Sequence, residues 1–183
     1  MKAYVVLLRG INVGGKNKVP MAALRKLLGE LGFSGVATFI ASGNVILKSD
    51  QPADTIKTRI EKALPRSFKL DSRIVKALVL TRRQLQAVID SKPRGFGEQP
   101  AKYHSDVIFM MGIDARQAMR VFDPREGVDK VWPGDGVIYS QRLSAQRTRS
   151  RLSKIVATPA YQDMTIRNWN TTTTLLELLK KMK

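Results

Sequence analysis

The feature that most constrains the fold is the opening stretch of the chain, in which an apolar run leads into a basic, glycine-rich loop. Residues 4–8 are β-branched, aliphatic or aromatic, which predicts a buried strand. The loop that follows carries Gly10, Gly14, Gly15 and two lysines, and Pro20 then stands where a helix would take its first turn. A strand, a glycine loop and a helix N-terminus in this order direct backbone N–H groups toward one point. The opening stretch therefore predicts an anion site.

The hydrophobic periodicity of the first half predicts a split βαβ, or ferredoxin-like, pattern of β-α-β-β-α-β. After the opening strand we expect a helix over 20–32 stopped by Gly32, strands over 36–41 and 45–48 joined by a tight turn, a helix that ends near Pro65, and a strand over 73–80. Thr81 and Gln84 then match a capping box that starts a connecting helix.

The second half repeats this order more loosely. We expect a strand over 106–111, a short helix capped by Asp114, hairpin strands over 128–132 and 137–139, a basic helix from 148 to about 157, a strand over 164–167, and a C-terminal helix capped by Asn170. The prediction is an α+β fold of two ferredoxin-like (β-α-β-β-α-β) subdomains with a C-terminal helix. The loop after the connecting helix divides them into residues 1–94 and 95–183, and a duplication stays open because the halves share no residue-level identity.

Net charge and composition favour some classes of function and exclude others. The 183 residues carry a formal net charge of +17, and no acidic residue precedes Glu30. The positive field of such a charge attracts phosphates and nucleic acids. A net charge of this size is equally explained by a protein that charge keeps soluble. The chain has no cysteine and one histidine, His104, which excludes disulfides, thiolate zinc sites and a multi-histidine metal site. We expect a cytoplasmic protein with no cofactor, no metal and no membrane association.

No catalytic motif is complete. Residues 10–17 are one residue short of a P-loop, and Asn17 replaces the hydroxyl that would hold Mg²⁺. There is neither a paired-carboxylate motif nor a nucleophile elbow, and His104 follows a loop, which favours a surface position. Whether the protein is an enzyme therefore stays open.

Several other polar residues are candidates for ligand contacts. Arg9 ends the first strand, where an arginine is costly to bury unless it is paired or bound to an anion. Arg151 closes a run of alternating arginines, most of which would form a solvated face. Residues 170–174 predict a hydroxyl-rich helix start, a second candidate anion site that ordinary capping would also explain.

Five motifs together resemble a known family. They are LLRGINVGG (7–15), KNKVPM (16–21), SGNV (42–45), SRL (150–152) and TIRNWNTT (165–172). Over essentially the whole chain this pattern is similar to the bacterial family named domain of unknown function 1697. The resemblance implies an α+β fold with ferredoxin-like parts and no known activity. The family's polar motif positions fall here on Arg9, Asn12, Lys16, Asn17, Ser42, Asn44, Ser150, Arg151, Arg167, Asn168 and Thr172.

Three functional hypotheses follow. The leading one is a phosphate-bearing small molecule or nucleotide held in a cleft between the subdomains, where the two motif ends, 9–16 and 165–172, would converge. The second is electrostatic, sequence-nonspecific nucleic-acid binding, and the third is a structural or partner-binding protein whose polar motif residues join the subdomains. The predicted ligand-binding residues are Arg9, Gly10, Asn12, Gly14, Gly15, Lys16, Asn17, Ser42, Asn44, Arg151, Arg167, Asn168 and Thr172.

Overall fold

The structure, a computed structural model, describes residues 1–71 and 75–182. The chain divides into two compact units, Met1–Gln86 with Thr174–Lys183 and Ala87–Thr173. We call them unit 1 and unit 2. The sequence-based division at 94 and 95 was drawn from the composition of a loop and stays a prediction.

Unit 1 contains a four-stranded antiparallel sheet in the order β2-β3-β1-β4. Its elements are β1 (Lys2–Arg9), α1 (Met21–Glu30), β2 (Ser34–Phe39), β3 (Asn44–Ser49), α2 (Ala53–Ser67), β4 (Lys76–Thr81) and the start of α3 (Arg82–Asp90). The predicted strand over 73–80 is confirmed from residue 76, and residues 73 and 74 lie outside the described residues.

The central strand β1 is buried on both faces, which explains its unbroken apolar run. Tyr4, Val6 and Leu8 belong to the core that also includes Leu24 of α1 and Ile56 of α2. Successive strand residues point to opposite faces, and the residues between these three are buried as well. The sheet therefore has a covered face on each side.

The helix ends show which local signals are decisive. Gly32 has φ +79, its N–H donates to Gly29, and the next N–H, of Phe33, donates to Leu28, so the predicted glycine stop is confirmed as a Schellman motif. The predicted end of α2 near Pro65 is confirmed to within two residues, since the helix continues to Ser67. A proline in the last turn forfeits a single backbone hydrogen bond, and the remaining ladder tolerates that loss.

Unit 2 contains a second four-stranded antiparallel sheet, in the order β6-β7-β5-β8. Its elements are β5 (Tyr103–Met110), α4 (Ala115–Ala118), β6 (Asp129–Pro133), β7 (Val137–Leu143), β8 (Met164–Asn168), the start of α5 (Trp169–Lys181) and 3₁₀ segments at Met119–Val121, Ser144–Arg149, Leu152–Ala157 and Pro159–Asp163. The fold is thus α+β with two four-stranded antiparallel sheets, consistent with two ferredoxin-like subdomains.

Two parts of unit 2 differ from the sequence prediction. The prediction of a basic helix from 148 to about 157 is wrong, because extended backbone at Ser150 separates two 3₁₀ segments. The Ser150 hydroxyl accepts from the N–H of Leu152, a local bond that competes with helix formation. The cap of α5 is Asn168 rather than Asn170, since the Asn168 side chain accepts from the N–H of Asn170 at 3.0 Å.

Two other predicted caps are confirmed. Thr81 and Gln84 exchange the reciprocal bonds of a capping box at the start of α3, at 2.9 and 3.2 Å. Asp114 accepts from the N–H groups of Arg116 and Gln117 at the start of α4. None of the helices within residues 1–71 and 75–182 combines the length and the apolar composition that crossing a membrane requires.

Candidate functional site

The glycine loop after β1 folds into a small hairpin over residues 12–17, which we call the opening hairpin. The N–H of Asn12 donates to the carbonyl of Asn17, and that of Lys16 donates to Val13, both at 3.0 Å. Gly14 and Gly15 form the tip with φ of +58 and +76, the two positive values that a type I′ turn requires. The glycines are therefore needed for the shape of a hairpin rather than for an open loop.

Asn12 holds this hairpin to the neighbouring chain. Its Nδ2 donates to the carbonyls of Val19 and Ala41, both at 2.9 Å, and its Oδ1 accepts from the N–H of Val19 at 2.8 Å. Asn12 itself has φ +53, a conformation that asparagine tolerates better than most residues. One side chain thus joins the opening hairpin, the entry to α1 and the turn that follows β2.

Asn17 closes the hairpin from the other side. It is buried, its Nδ2 donates to the carbonyl of Gly10 at 2.5 Å, and its N–H donates to the Asp71 carboxylate at 2.7 Å. Asparagine is suited to this position because it tolerates the φ of +49 and supplies the donor. A carboxylate therefore occupies one N–H that the sequence had suggested for an anion.

The tip of the opening hairpin is exposed and basic. Val13, Gly14, Gly15 and Lys16 are all exposed, and so is Lys18 beyond them. A Cβ added at either tip glycine would meet nothing within 4 Å, so a ligand could reach this backbone closely. Arg9, at the end of β1, is half-buried.

The turn between β2 and β3 lies against the same region. Asn44 is fully buried, and its Nδ2 donates to the Ser42 hydroxyl at 2.9 Å and to the carbonyl of Phe39 at 3.2 Å. Gly43 accepts from the N–H of Leu8 at 2.8 Å, and a Cβ on it would press against Leu8 at 2.9 Å. Ser42 and Asn44 thus shape the turn that Asn12 ties to the hairpin.

Two apolar side chains stand exposed in this region. Val13 at the hairpin tip is 66% exposed, and Ile40, which precedes the Ala41 carbonyl that Asn12 contacts, is 54% exposed. Ile40 also has φ +50, which is unusual for a β-branched residue. Strained and exposed residues of this kind are found at binding sites more often than elsewhere, because the surrounding structure must hold them there.

The predicted site residues of unit 2 are largely engaged within that unit. The Arg151 guanidinium contacts both oxygens of Asp123, at 3.0 and 3.1 Å, and its backbone N–H donates to Asp129 at 2.8 Å. Both Arg151 and Asp123 side chains are more than one-third exposed, so this ion pair contributes little stability. Arg151 therefore neutralises a carboxylate of its own unit.

Arg167 is a buried cation in β8. It is 7% exposed, and its Nη1 donates to the Thr165 hydroxyl at 2.9 Å and to the carbonyl of Ile166 at 2.8 Å. Burial lowers the pKa of Arg167 to about 10, although the nearby phenol of Tyr161 works in the other direction. The guanidinium remains charged at neutral pH in a position that water barely reaches.

The polar side chains at the start of α5 form hydrogen bonds with neighbouring carbonyl groups. Besides capping the helix, Asn168 donates from Nδ2 to the carbonyl of Ser105 at 3.2 Å. The hydroxyls of Thr172 and Thr173 donate back to carbonyls of the preceding turn, at 3.1 and 3.2 Å. The hydroxyl protons of Thr172 and Thr173 are therefore used within the helix. That the hairpin and these unit 2 residues form one composite site stays a prediction.

A small cavity of unit 2 contains a residue that the sequence analysis placed at the surface. The cavity measures about 150 Å³, and its lining includes His104, which is half-buried on β5. His104 Nε2 lies 3.1 Å from Asp106, and Arg142 Nη1 lies 3.9 Å from the same carboxylate. The alternation of His104 and Asp106 along one strand face is the sequence signal that could have indicated this cluster. In the described part of the chain, no group of three or more acidic or histidine side chains could hold a metal.

The comparisons agree with this fold. A solved structure, that of conserved bacterial protein SP0830 from Streptococcus pneumoniae, matches with a TM-score of 0.79 and 25% sequence identity, covering 97% of this chain and 98% of the other. The curated proteins give no match. The model of the family described as Protein of unknown function (DUF1697) matches residues 1–139. The chain belongs to that family, as the opening motifs predicted.

Proposed function

We propose that the protein binds a phosphate-bearing small molecule, such as a nucleotide, at the opening hairpin of unit 1. The observation that carries the proposal is a rigid hairpin that presents Lys16 beside the uncrowded backbone of Gly14 and Gly15. Since Asn12 and Asn17 hold the backbone of this hairpin, the tip amides need little ordering when a ligand arrives.

Electrostatics and the neighbouring apolar surface support the proposal. The exposed Lys18 adds a second cation, and α1 begins just beyond it with no acidic residue in its first turn and no side-chain cap. Val13 and Ile40 offer apolar surface for the part of a ligand that carries no charge. The Asp71 carboxylate opposes an anion at Asn17, so the phosphate is expected at the tip rather than inside the hairpin.

Thermal unfolding in the presence of inorganic phosphate tests the proposal. A ligand that binds the folded state raises the melting temperature by mass action. Phosphate should therefore stabilise the wild type, and Lys16→Ala should remove most of this effect. Lys62→Ala, which removes an exposed lysine from α2 of the same unit, is the control and should leave it intact. Equal stabilisation of all three proteins by phosphate would contradict a site at Lys16.

A second candidate function is sequence-nonspecific nucleic-acid binding. The net charge of +17, the exposed hairpin and the exposed Arg147 and Arg149 of unit 2 favour it. Binding of this kind is driven by counterion release, so the logarithm of affinity should fall linearly with the logarithm of salt concentration. Fluorescence anisotropy with unrelated oligonucleotides at equal salt should give similar affinities. A strong preference for one sequence would contradict this candidate.

We also propose that the two units arose by duplication of one ferredoxin-like subdomain in a cytoplasmic protein. The supporting observation is that β1 to β4 and β5 to β8 have the same relative order in their sheets, with the third strand of each unit beside the first. Such an order is typical of the split βαβ motif.

A further inference from the structure

Unit 1 has a second basic site at the other end of its central strand, where β1 begins. An open cavity of about 360 Å³ lies there, a volume within the range of small-ligand sites. Its lining residues come from five elements: Met1, Lys2 and Ala3 at the start of β1, Lys48 of β3, Thr81 of β4, Arg82 and Arg83 of α3, and Leu179 and Met182 at the end of α5. The opening hairpin follows the other end of β1, and Lys2 and Arg9 at the two ends of this strand are seven strand steps, or about 24 Å, apart.

The rim of the cavity is cationic. Lys2, Lys48, Arg82 and Arg83 line it, and no lining residue in the described part of the chain is acidic. The Asp50 carboxylate pairs with the amino group of Met1, one of the lining residues, at 2.9 Å. The rim thus brings several positive charges to one cavity.

Arg82 and Arg83 lie at a helix N-terminus, where positive charge is unfavourable. They form the first turn of α3, which has no acidic residue there, so the positive end of the helix dipole adds to their charge. The capping box at this end uses Thr81 and Gln84, which are both neutral. Both guanidinium groups are exposed, and a guanidinium presents a fork of donors that matches phosphate oxygens.

The other wall of the cavity is apolar. Leu179 is buried, and Met182 packs its methyl group against Gly35 on the neighbouring strand β2. A methyl group added at Gly35 would lie 3.0 Å from that methionine. This apolar wall lines the same cavity as the cationic rim.

We infer that this cavity binds a small organic phosphate, with the phosphate on Arg82 and Arg83 and an apolar body against Leu179 and Met182. The site is separate from the opening hairpin and does not depend on it. Inorganic phosphate would use the rim alone, whereas a phosphate monoester with an aromatic or aliphatic group would use both walls.

Isothermal titration calorimetry with phenyl phosphate and with inorganic phosphate tests this inference. In a Lys16→Ala background, which removes the hairpin site, the protein should bind phenyl phosphate saturably and more tightly than inorganic phosphate, by about fivefold or more, because the ring buries apolar surface. The double variant Arg82→Ala, Arg83→Ala should weaken phenyl phosphate about tenfold or more, since charge-assisted hydrogen bonds are lost. Both residues are exposed, and alanine favours the helix, so the variant should fold.

The charge-matched control is Lys62→Ala, Arg66→Ala, which removes two exposed cations from α2 of the same unit. It should leave the affinity for phenyl phosphate unchanged, and both double variants are made in the same Lys16→Ala background, which separates this site from the hairpin. Equal weakening in both double variants would overturn the inference, as would equal affinity for the two phosphates or the absence of saturable phenyl phosphate binding.

Discussion

At the scale of single residues, asparagines shape the candidate site by doing what neither glycine nor alanine can do. Asn12 combines a positive φ with a side chain that both donates and accepts, so it fixes the hairpin and its neighbours together. Asn17 likewise combines a positive φ with a side-chain amide that donates to the carbonyl of Gly10. The sequence predicted that these positions matter, but it could not show that their amide groups serve the hairpin itself.

Replacing Asn12 should therefore destabilise the protein in two separable ways. Asn12→Gly keeps the positive φ and loses the hydrogen bonds to Val19 and Ala41, which should lower the free energy of unfolding by about 2 kcal/mol. Asn12→Ala should cost about 1 kcal/mol more, because alanine strains the left-handed conformation. Urea unfolding measures both, with the exposed Asn170→Ala as control. A value for Asn12→Gly within about 0.5 kcal/mol of wild type would contradict this role.

Tyr139 gives a pH dependence with a definite sign. Burial raises its pKa to about 12, and its hydroxyl donates to the carbonyl of Val88 at 2.5 Å. A raised folded-state pKa stabilises the protein below pH 10, and this stability is lost as pH rises from 10 toward 12. The difference in unfolding free energy between wild type and Tyr139→Phe should thus shrink by about 1 kcal/mol between pH 9 and pH 11.

The two proteins share every other titrating group, including Arg167, whose lowered pKa gives the opposite slope and cancels in the difference. Chemical unfolding at a series of pH values is the measurement. A difference that stays constant, or grows, over this range would show that the phenol is not held in its neutral form by the fold.

At the scale of elements, the loop after α3 packs closely against the first turn of α5. Phe96 packs edge-on against Trp132, Tyr139 and Trp169, with ring centroids 5.2 to 6.1 Å apart. A Cβ on the next residue, Gly97, would overlap the Trp169 indole. The glycine is thus required by contact as well as by its φ of +75.

A matched pair of glycines separates these two requirements. Gly95 has nearly the same φ, +78, but open space around it, so Gly95→Ala should cost about 1 kcal/mol from strain alone. Gly97→Ala should cost about 3 kcal/mol or more and should shift Trp169 fluorescence to the red, read in a Trp132→Phe background. Similar unfolding free energies for the two variants would contradict the packing of the indole on Gly97.

The elements also show how far the sequence can predict this fold. The Gly32 stop, the capping box and the cap by Asp114 were predictable because each is set by residues within a few positions of one another. The prediction of a basic helix was wrong because a single local hydrogen bond at Ser150 competes with the average helix propensity of this segment. The cap of α5 was placed two residues late, since two asparagines offered the same signal.

At the scale of the whole molecule, an α+β fold with two parts was predictable from the pattern of elements, but the state of the candidate site was not. The glycine loop was predicted to offer free N–H groups to an anion. In the structure the N–H groups of Asn12 and Lys16 are paired within the hairpin. The N–H of Asn17 donates to the carboxylate of Asp71, which is distant in sequence. The pairing with Asp71 depends on the tertiary fold, so no local pattern reveals it. What remains for a ligand is the exposed tip with Lys16.

The most direct test of binding at this tip is a titration of the ¹⁵N-labelled protein with inorganic phosphate at constant ionic strength, followed by amide chemical shifts. We predict saturable shifts at Gly14, Gly15 and Lys16 that are lost in Lys16→Ala. Amides of residues 81–83 report the second cavity separately. Shifts spread evenly over the lysine- and arginine-rich surface without saturation, with Gly14 and Gly15 unmoved, would contradict a phosphate site at the opening hairpin.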